Sequence, residues 1–193
     1  EILVDGAKAE SCIVTTPYEN LHILPSSLDL AAAELEISDK KGRESILKNA
    51  LLPIKQYYDY IIIDCPPSLG LITTNALTAS DTFLVPIQCE YYALEGLTQL
   101  MSTVRRIKRQ YNNTIDIEGV LLTMYDGRLN LTQQVVEEVK KFFPRKVFKT
   151  VIPRGVRLSE APSFGMPVIY YDKNCKGSIT YTELAKEIIA KER

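Results

Sequence analysis

The stretch of this chain with the clearest chemical content is Tyr57-Tyr58-Asp59-Tyr60-Ile61-Ile62-Ile63-Asp64-Cys65-Pro66-Pro67-Ser68. Three isoleucines ahead of an acid describe a buried strand that delivers a carboxylate to the C-terminal edge of a parallel sheet, where open α/β folds place their ligands. A carboxylate there can hold Mg²⁺ directly or through a water, because this hard cation prefers oxygen ligands and keeps part of its hydration shell. This is the Walker B arrangement, although an acid that ends an apolar strand is more often an ordinary cap. Pro66 and Pro67 sharpen the reading: two successive prolines remove two backbone donors and fix φ, so the chain leaves the strand in a defined direction after Asp64.

Other site chemistries have little to build on. Cys12, Cys65, Cys89 and Cys175 are widely spaced, with no CxxC pair and no histidine besides His22, which argues against a zinc site. Four thiols in a reducing cytoplasm are the expected reading. A lone His22 in a strand-like run also argues against Ser-His-Asp or Cys-His catalysis, which needs an imidazole beside the nucleophile.

The elements that must position Asp64 follow an alternating pattern. Strand-like runs are predicted over Leu21–Leu24, Tyr60–Asp64, Phe83–Ile87, Gly119–Thr123, part of Val147–Ile152 and Val168–Tyr170. Helices are predicted over Leu28–Glu36, Arg43–Lys55, Leu71–Ala79, Leu94–Tyr111, Leu131–Phe143 and Thr180–Lys191, with Asn130 a candidate N-cap. Alternation of this kind implies an α/β fold, a mostly parallel sheet with helices on both faces. The 193 residues are 46% hydrophobic and 24% charged. That length and composition support one compact domain over residues 1–193, at roughly 150 residues per domain. The longest apolar runs fall far short of the roughly 20 residues needed to span a bilayer, and nothing reads as a signal peptide.

The net charge of −1 conceals an asymmetry. Six Lys/Arg face fourteen Asp/Glu up to residue 100, a balance of −8; seventeen face ten after it, a balance of +7. Such a split suits a face that meets a polyanion as well as it suits solvated helix surfaces.

Three segments make the pattern specific: Asp64-Cys65-Pro66-Pro67-Ser68-Leu69-Gly70-Leu71, the run from Pro86 to Leu97, and the run from Ile152 to Ser163. Together with Glu118–Met124 they closely resemble the ParA/Soj family of chromosome and plasmid partitioning ATPases over nearly the whole chain. The resemblance implies a deviant Walker-type P-loop ATPase that uses ATP and Mg²⁺. It also implies a homodimer with ATP bound, sequence-independent DNA binding in that state, and hydrolysis stimulated by a ParB-type centromere-binding partner, in the cytoplasm at the nucleoid. By the same resemblance Asp64 is the catalytic and magnesium-binding acid, and Pro66, Pro67 and Ser68 begin a segment that senses the γ-phosphate. Thr123, Met124 and Asp126 then lie close to the base, Pro153 and Arg154 pack near the adenine, and Arg128 and Arg157 contact DNA. Many relatives carry asparagine where this chain has Gly155, so a side-chain contact made there is absent here.

A lysine-containing glycine-rich loop after the first strand cradles the phosphates in this family. No such segment occurs between Glu1 and Arg193; the nine glycines are scattered and no GK[ST] triplet is present. Set against the family, the chain is expected to begin after the phosphate loop and the second strand, lacking roughly a quarter of the parent, and to have no significant ATPase activity alone. It is also expected to dissolve poorly, because an uncovered strand edge invites association. Clusters at Arg105, Arg106, Lys108, Arg109 and at Lys140, Lys141, Arg145, Lys146, Lys149 could extend a phosphate-contacting surface, and no base-reading motif accompanies them. The rival reading is a non-catalytic DNA- or partner-binding module without a nucleotide site, against which the Asp64–Ser68 run counts. A MinD-like membrane ATPase would need a more apolar C-terminal helix than Thr182–Arg193, where Leu184, Ile188 and Ile189 are the large apolar residues.

Overall fold

The computed structural model describes residues 1–90 and 93–191. Ten helices occur among them: α1 Ile2–Asp5, α2 Ala9–Cys12, α3 Leu30–Glu36, α4 Ile46–Leu51, α5 Leu71–Ala79, α6 Ala93–Gln110, α7 Asn130–Phe142, α8 Val156–Glu160, α9 Val168–Tyr171 and α10 Lys176–Lys191. The strands are β1 Val14–Thr15, β2 His22–Ile23, β3 Thr82–Gln88 and β4 Asp116–Thr123. Two compact units share them, one made of residues 1–82 and 100–116, the other of residues 83–99 and 117–193.

The first unit is mostly helical. α4 packs on α5, and Ala9, Leu51 and Ile54 form a small core against Leu47, Ile63 and Ala79. Polar side chains tie its helices together. Asn112 Nδ2 donates to the carbonyl oxygens of Leu77 at 3.0 Å and Ser80 at 2.7 Å, which satisfies the C-terminal end of α5. The second unit carries the parallel sheet expected of the fold class, with β3 beside β4. β4 has four successive buried positions, Gly119 to Leu122, as a doubly covered strand should. Gly119 lies so close to Phe148 and the Lys146 carbonyl that a Cβ there would collide with both. Leu121, Phe148, Ile152 and Leu184 form the core, joining the sheet to α10.

β3, β4 and α3 to α7 fall within a few residues of their predicted positions, and α5 spans Leu71–Ala79 as the sequence indicates. Four segments differ. Tyr60–Asp64 joins neither sheet, and Ile62 is 91% exposed. Apolar composition gives only a tendency to be a strand; the strand itself is the ladder to a neighbour, and no described segment forms one with Tyr60–Asp64. The Leu21–Leu24 run yields β2, but β2 pairs antiparallel with β1 rather than joining the parallel sheet. Residues 147–152 run beside β4 through single bridges, with Phe148 N–H donating to Val120 O at 3.0 Å and Ile152 N–H to Leu122 O at 2.9 Å. Val168–Tyr170 is helical, because Pro167 at the N-cap starts a turn and its carbonyl accepts the N–H groups of both Tyr170 and Tyr171. Asn130 is the first helical residue of α7 rather than its cap; Leu129 occupies the cap without a side-chain bond.

Candidate functional site

In the first unit the loop from Asp64 to Ser68 leads into α5, and all five residues are exposed. Asp64 makes no hydrogen bond or ion pair with any described residue, so its carboxylate has no internal cation. The neighbouring Cys65 sulfur is partly desolvated although the residue is exposed, and this pushes its thiol pKa up, with the Asp64 charge adding to the effect. Pro66 and Pro67 carry no N–H. The loop is instead held from its far end, where the Thr73 hydroxyl donates to Ser68 O at 2.5 Å. Below it α5 is anchored by Asn75, fully buried, whose amide bridges Arg43, Leu47 and Leu71.

Its N-terminus has a further partner. Gly70 is the N-cap residue and offers no side chain, and α5 has no acid of its own in the first turn. Glu34 of α3 fills that place: its carboxylate accepts the Leu71 N–H and, at 3.3 Å, the Ile72 N–H. The charge lies where the helix dipole favours an anion. Beside it opens a cavity of about 480 Å³, lined in part by Glu34, Arg43, Glu44, Arg106 and Tyr111.

The second unit brings together five other residues singled out by the sequence. Thr123 ends β4 and Met124 follows with φ at +51°, a left-handed conformation uncommon for a residue with a side chain. The next residue, Tyr125, bridges Pro153 in parallel and donates its N–H to Ile152 O at 3.1 Å, which sets Met124 and Asp126 beside Pro153 and Arg154. Arg154 reaches Glu90 at 3.4 Å. Tyr91 and Tyr92, in the Pro86-to-Leu97 run, lie outside the described residues.

Both arginines expected to meet DNA are paired with acids. Arg128 grips Asp126 through two side-chain bonds, Nε at 2.9 Å and Nη2 at 2.6 Å, while its own N–H also donates to that carboxylate. This pairing lowers the Asp126 pKa to about 2. Arg157 holds Glu160 at 2.9 Å and Asp172 at 3.3 Å, and its guanidinium lies 5.9 Å from the Tyr171 ring centroid. Of the basic clusters, Arg105, Arg106, Lys108 and Arg109 are exposed on α6, whereas Lys141 pairs with Glu138 and Lys146 donates to Ile117 O. His22 has a structural role, with Nδ1 2.9 Å from the Tyr58 hydroxyl.

Glu34, Glu90, Glu160 and Asp172 are functional candidates that sequence reasoning missed. Glu90 and Glu160 lay inside motifs, whereas Glu34 and Asp172 are defined only by a partner that the fold brings to them. As a magnesium ligand set the described residues fit in kind and not in number: Asp64 offers a hard oxygen, and no group of three or more His, Cys, Asp or Glu side chains gathers among the described residues. That suits Mg²⁺, which binds through one or two carboxylates together with substrate phosphates. Among the described residues no helix is long and apolar enough to cross a membrane.

A family model described as an AAA domain matches residues 1–117. The chain is 58% identical over 190 residues to the sporulation initiation inhibitor protein Soj of Bacillus subtilis, which covers 98% of this chain and 75% of that protein. It is 47% identical to the chromosome-partitioning ATPase Soj of Treponema pallidum, over 100% of this chain and 76% of that one. Among solved structures, cobyrinic acid a,c-diamide synthase from Mycobacterium smegmatis, with a bound ATP analogue and magnesium, superposes at a TM-score of 0.80. The identity is 33%, over 96% of this chain and 68% of that one.

Proposed function

The chain belongs to the Soj/ParA family of partitioning P-loop ATPases, and from that premise we propose that it is the segment of a DNA-partitioning ATPase that senses magnesium and γ-phosphate and binds DNA. The observation that carries this reading is Asp64, a carboxylate with no cationic partner among the described residues, in an exposed double-proline loop tethered to α5. ATP with Mg²⁺ supplies the reaction: a phosphoryl group passes to water while the metal neutralises developing charge.

The residues of this chain divide the remaining work. Asp64 would hold Mg²⁺, through a water, by its carboxylate oxygens. Pro66 to Ser68, lacking two backbone donors, form a segment whose position is set by external contacts and by the Thr73–Ser68 bond. Thr123, Met124 and Asp126, with Pro153 and Arg154, shape a base-proximal wall in the second unit. Arg128 and Arg157 meet DNA phosphates, exchanging Asp126, Glu160 and Asp172 for phosphate oxygens. We take the two units as one ATPase domain that dimerises on ATP, answers to a ParB-type partner and works at the nucleoid in the cytoplasm.

Phosphate release and labelled-ATP binding test the reading on the purified 193-residue chain and on the full-length gene product. The full-length product should turn over ATP, and Asp64→Ala should lower its kcat about 100-fold. The chain alone, without a phosphate cradle in its sequence, should show no turnover above background; wild-type-like turnover by it would overturn that part. In the full-length product Arg128→Ala with Arg157→Ala should weaken binding equally on unrelated duplexes and lower the slope of log affinity against log salt by about 2, near 0.9 per lost phosphate contact. Unchanged binding would remove both arginines from the DNA surface.

A further inference from the structure

We propose that Glu34 is a positioning residue for the Asp64–Ser68 loop. Glu34 and Leu71 are 37 residues apart in sequence, yet the Glu34 carboxylate is the acid that caps α5. It accepts the first two N–H groups of the helix, Leu71 and Ile72, which would otherwise have no intrahelical partner. α5 does not fill this role itself: the N-cap Gly70 contributes no side-chain bond and the first turn contains no acid.

The carboxylate packs directly against the Gly70 backbone, where a Cβ would displace it. Two nearby cations are engaged elsewhere: Lys40 donates to the Val4 carbonyl, and Arg43, which lines the same cavity, is held by Glu44 at 3.2 Å. From there a short chain of bonds reaches the loop. The first turn of α5 returns to the residues before it through Thr74 N–H and Oγ1 to Gly70 O, both at 3.0 Å, and through Thr73 Oγ1 to Ser68 O. Ser68 lies four residues beyond Asp64, across two prolines that add no backbone donor of their own. A shift of the α5 N-terminus therefore displaces the loop as a unit, and a displacement of about 1 Å in a catalytic group can cost up to 100-fold in rate.

This inference rests on the assignment of Asp64–Ser68 as the magnesium- and phosphate-sensing loop. The test compares wild type, Glu34→Ala, Glu34→Gln and Glu34→Asp in the full-length gene product. It uses Mg²⁺ titrations of ATP turnover well below each melting temperature, and amide hydrogen exchange at Leu71 and Ile72. Glu34→Ala should speed exchange at both amides, lower kcat roughly 10-fold and raise the Mg²⁺ concentration for half-maximal rate. Glu34→Gln keeps an oxygen that accepts the same N–H groups and should recover most of the loss. Faster exchange in Glu34→Ala with wild-type kcat and Mg²⁺ dependence makes Glu34 merely structural and overturns the proposal. Unchanged exchange overturns the contact itself. If Glu34→Ala does not fold, Glu34→Asp, whose carboxylate is drawn back by one methylene, decides by the same two readouts. A wild-type protein without Mg²⁺-dependent turnover refutes the loop assignment instead, and the exchange data then separate the two failures.

Discussion

Replacing Asn75 by alanine gives the most direct test of how α5 is held beneath the Asp64–Ser68 loop. Asn75 is 0% exposed, and its side chain makes three bonds. Nδ2 donates to Arg43 O at 2.7 Å and to Leu71 O at 3.0 Å, and Oδ1 accepts from Leu47 N–H at 3.1 Å. The Leu71 carbonyl keeps its place in the α5 ladder without this side chain, so its loss there is small. The Leu47 N–H and the Arg43 C=O have no such substitute and stay beneath the packed helices, at about 1–3 kcal/mol for each unsatisfied group. Both residues are half-buried, so water reaches part of the gap and the lower half of that range applies; the sum is about 2–4 kcal/mol. Against a total stability of about 5–15 kcal/mol, this is a large fraction. Urea unfolding of the chain at low protein concentration, followed by circular dichroism, should show a lower midpoint with an unchanged slope. Asn75→Asp keeps the acceptor for Leu47 but sets a carboxylate against two carbonyl oxygens, and should be at least as damaging. If both variants unfold within about 0.5 kcal/mol of the parent, the range typical of neutral surface changes, the bridge carries no weight and the reasoning fails.

The Asp126 carboxyl should titrate at about 2 by NMR and move up toward the ordinary 3.8 in Arg128→Ala, which loses the guanidinium and keeps the backbone N–H bond. Because the folded value is depressed, the pair's contribution is fully present above the unfolded pKa and is lost as pH falls through about 2; loss of the pair between pH 4 and 6 would contradict it. The exposed run Tyr60, Ile61 and Ile62, at 44%, 39% and 91%, should make the purified chain self-associate. Ile62→Lys should raise its solubility limit in light-scattering assays, and no change would show that another surface drives association. Gly155 caps α8 without a side-chain bond, and a Cβ there meets Leu158 no closer than 3.8 Å, so Gly155→Asn should raise the melting temperature by an amount equivalent to a few tenths of a kcal/mol. A drop instead would mean that the loop cannot accept the cap.

What was legible in the sequence was what short-range physics decides. α5 is bounded by Gly70 and by Ser80, and β3 and β4 carry the Val, Ile and Leu that a covered strand requires, so local composition places them correctly. Val168–Tyr170 has the same β-branched and aromatic character and is helical, because Pro167 starts a turn and the Ser178 hydroxyl bonds Val168 O and Asp172 O from ten and six residues away. Tyr60–Asp64 fails as a strand for the complementary reason: pairing is non-local, and an Ile run cannot state which segment lies beside it. The site follows the same division. Asp64, Asp126, Arg128, Arg154 and Arg157 stand in contiguous motifs and are singled out there; Asp126 and Glu160 pair with arginines close by in the chain, whereas Glu34, Glu90 and Asp172 reach their partners from distant turns and helices.

Those acids change the meaning of the charge asymmetry. The +7 of the second half is a balance in which Asp126, Glu138, Glu160 and Glu118 are already counted, and Arg128, Arg154, Arg157, Lys141 and Lys191 each lie within 4 Å of a carboxylate. A phosphate that binds Arg128 must therefore replace Asp126, and one that binds Arg157 must replace Glu160 and Asp172. Protonation does not open the way, because Asp126 remains ionised down to about pH 2. Exchange is nevertheless easy, since the arginine side chains are 88% and 54% exposed and solvent already screens both pairs. DNA binding by this surface would then be a substitution of one anion for another, so its affinity should depend on the density of phosphates presented along a duplex more than on the net charge of the protein. That is the pattern expected of contact without base recognition.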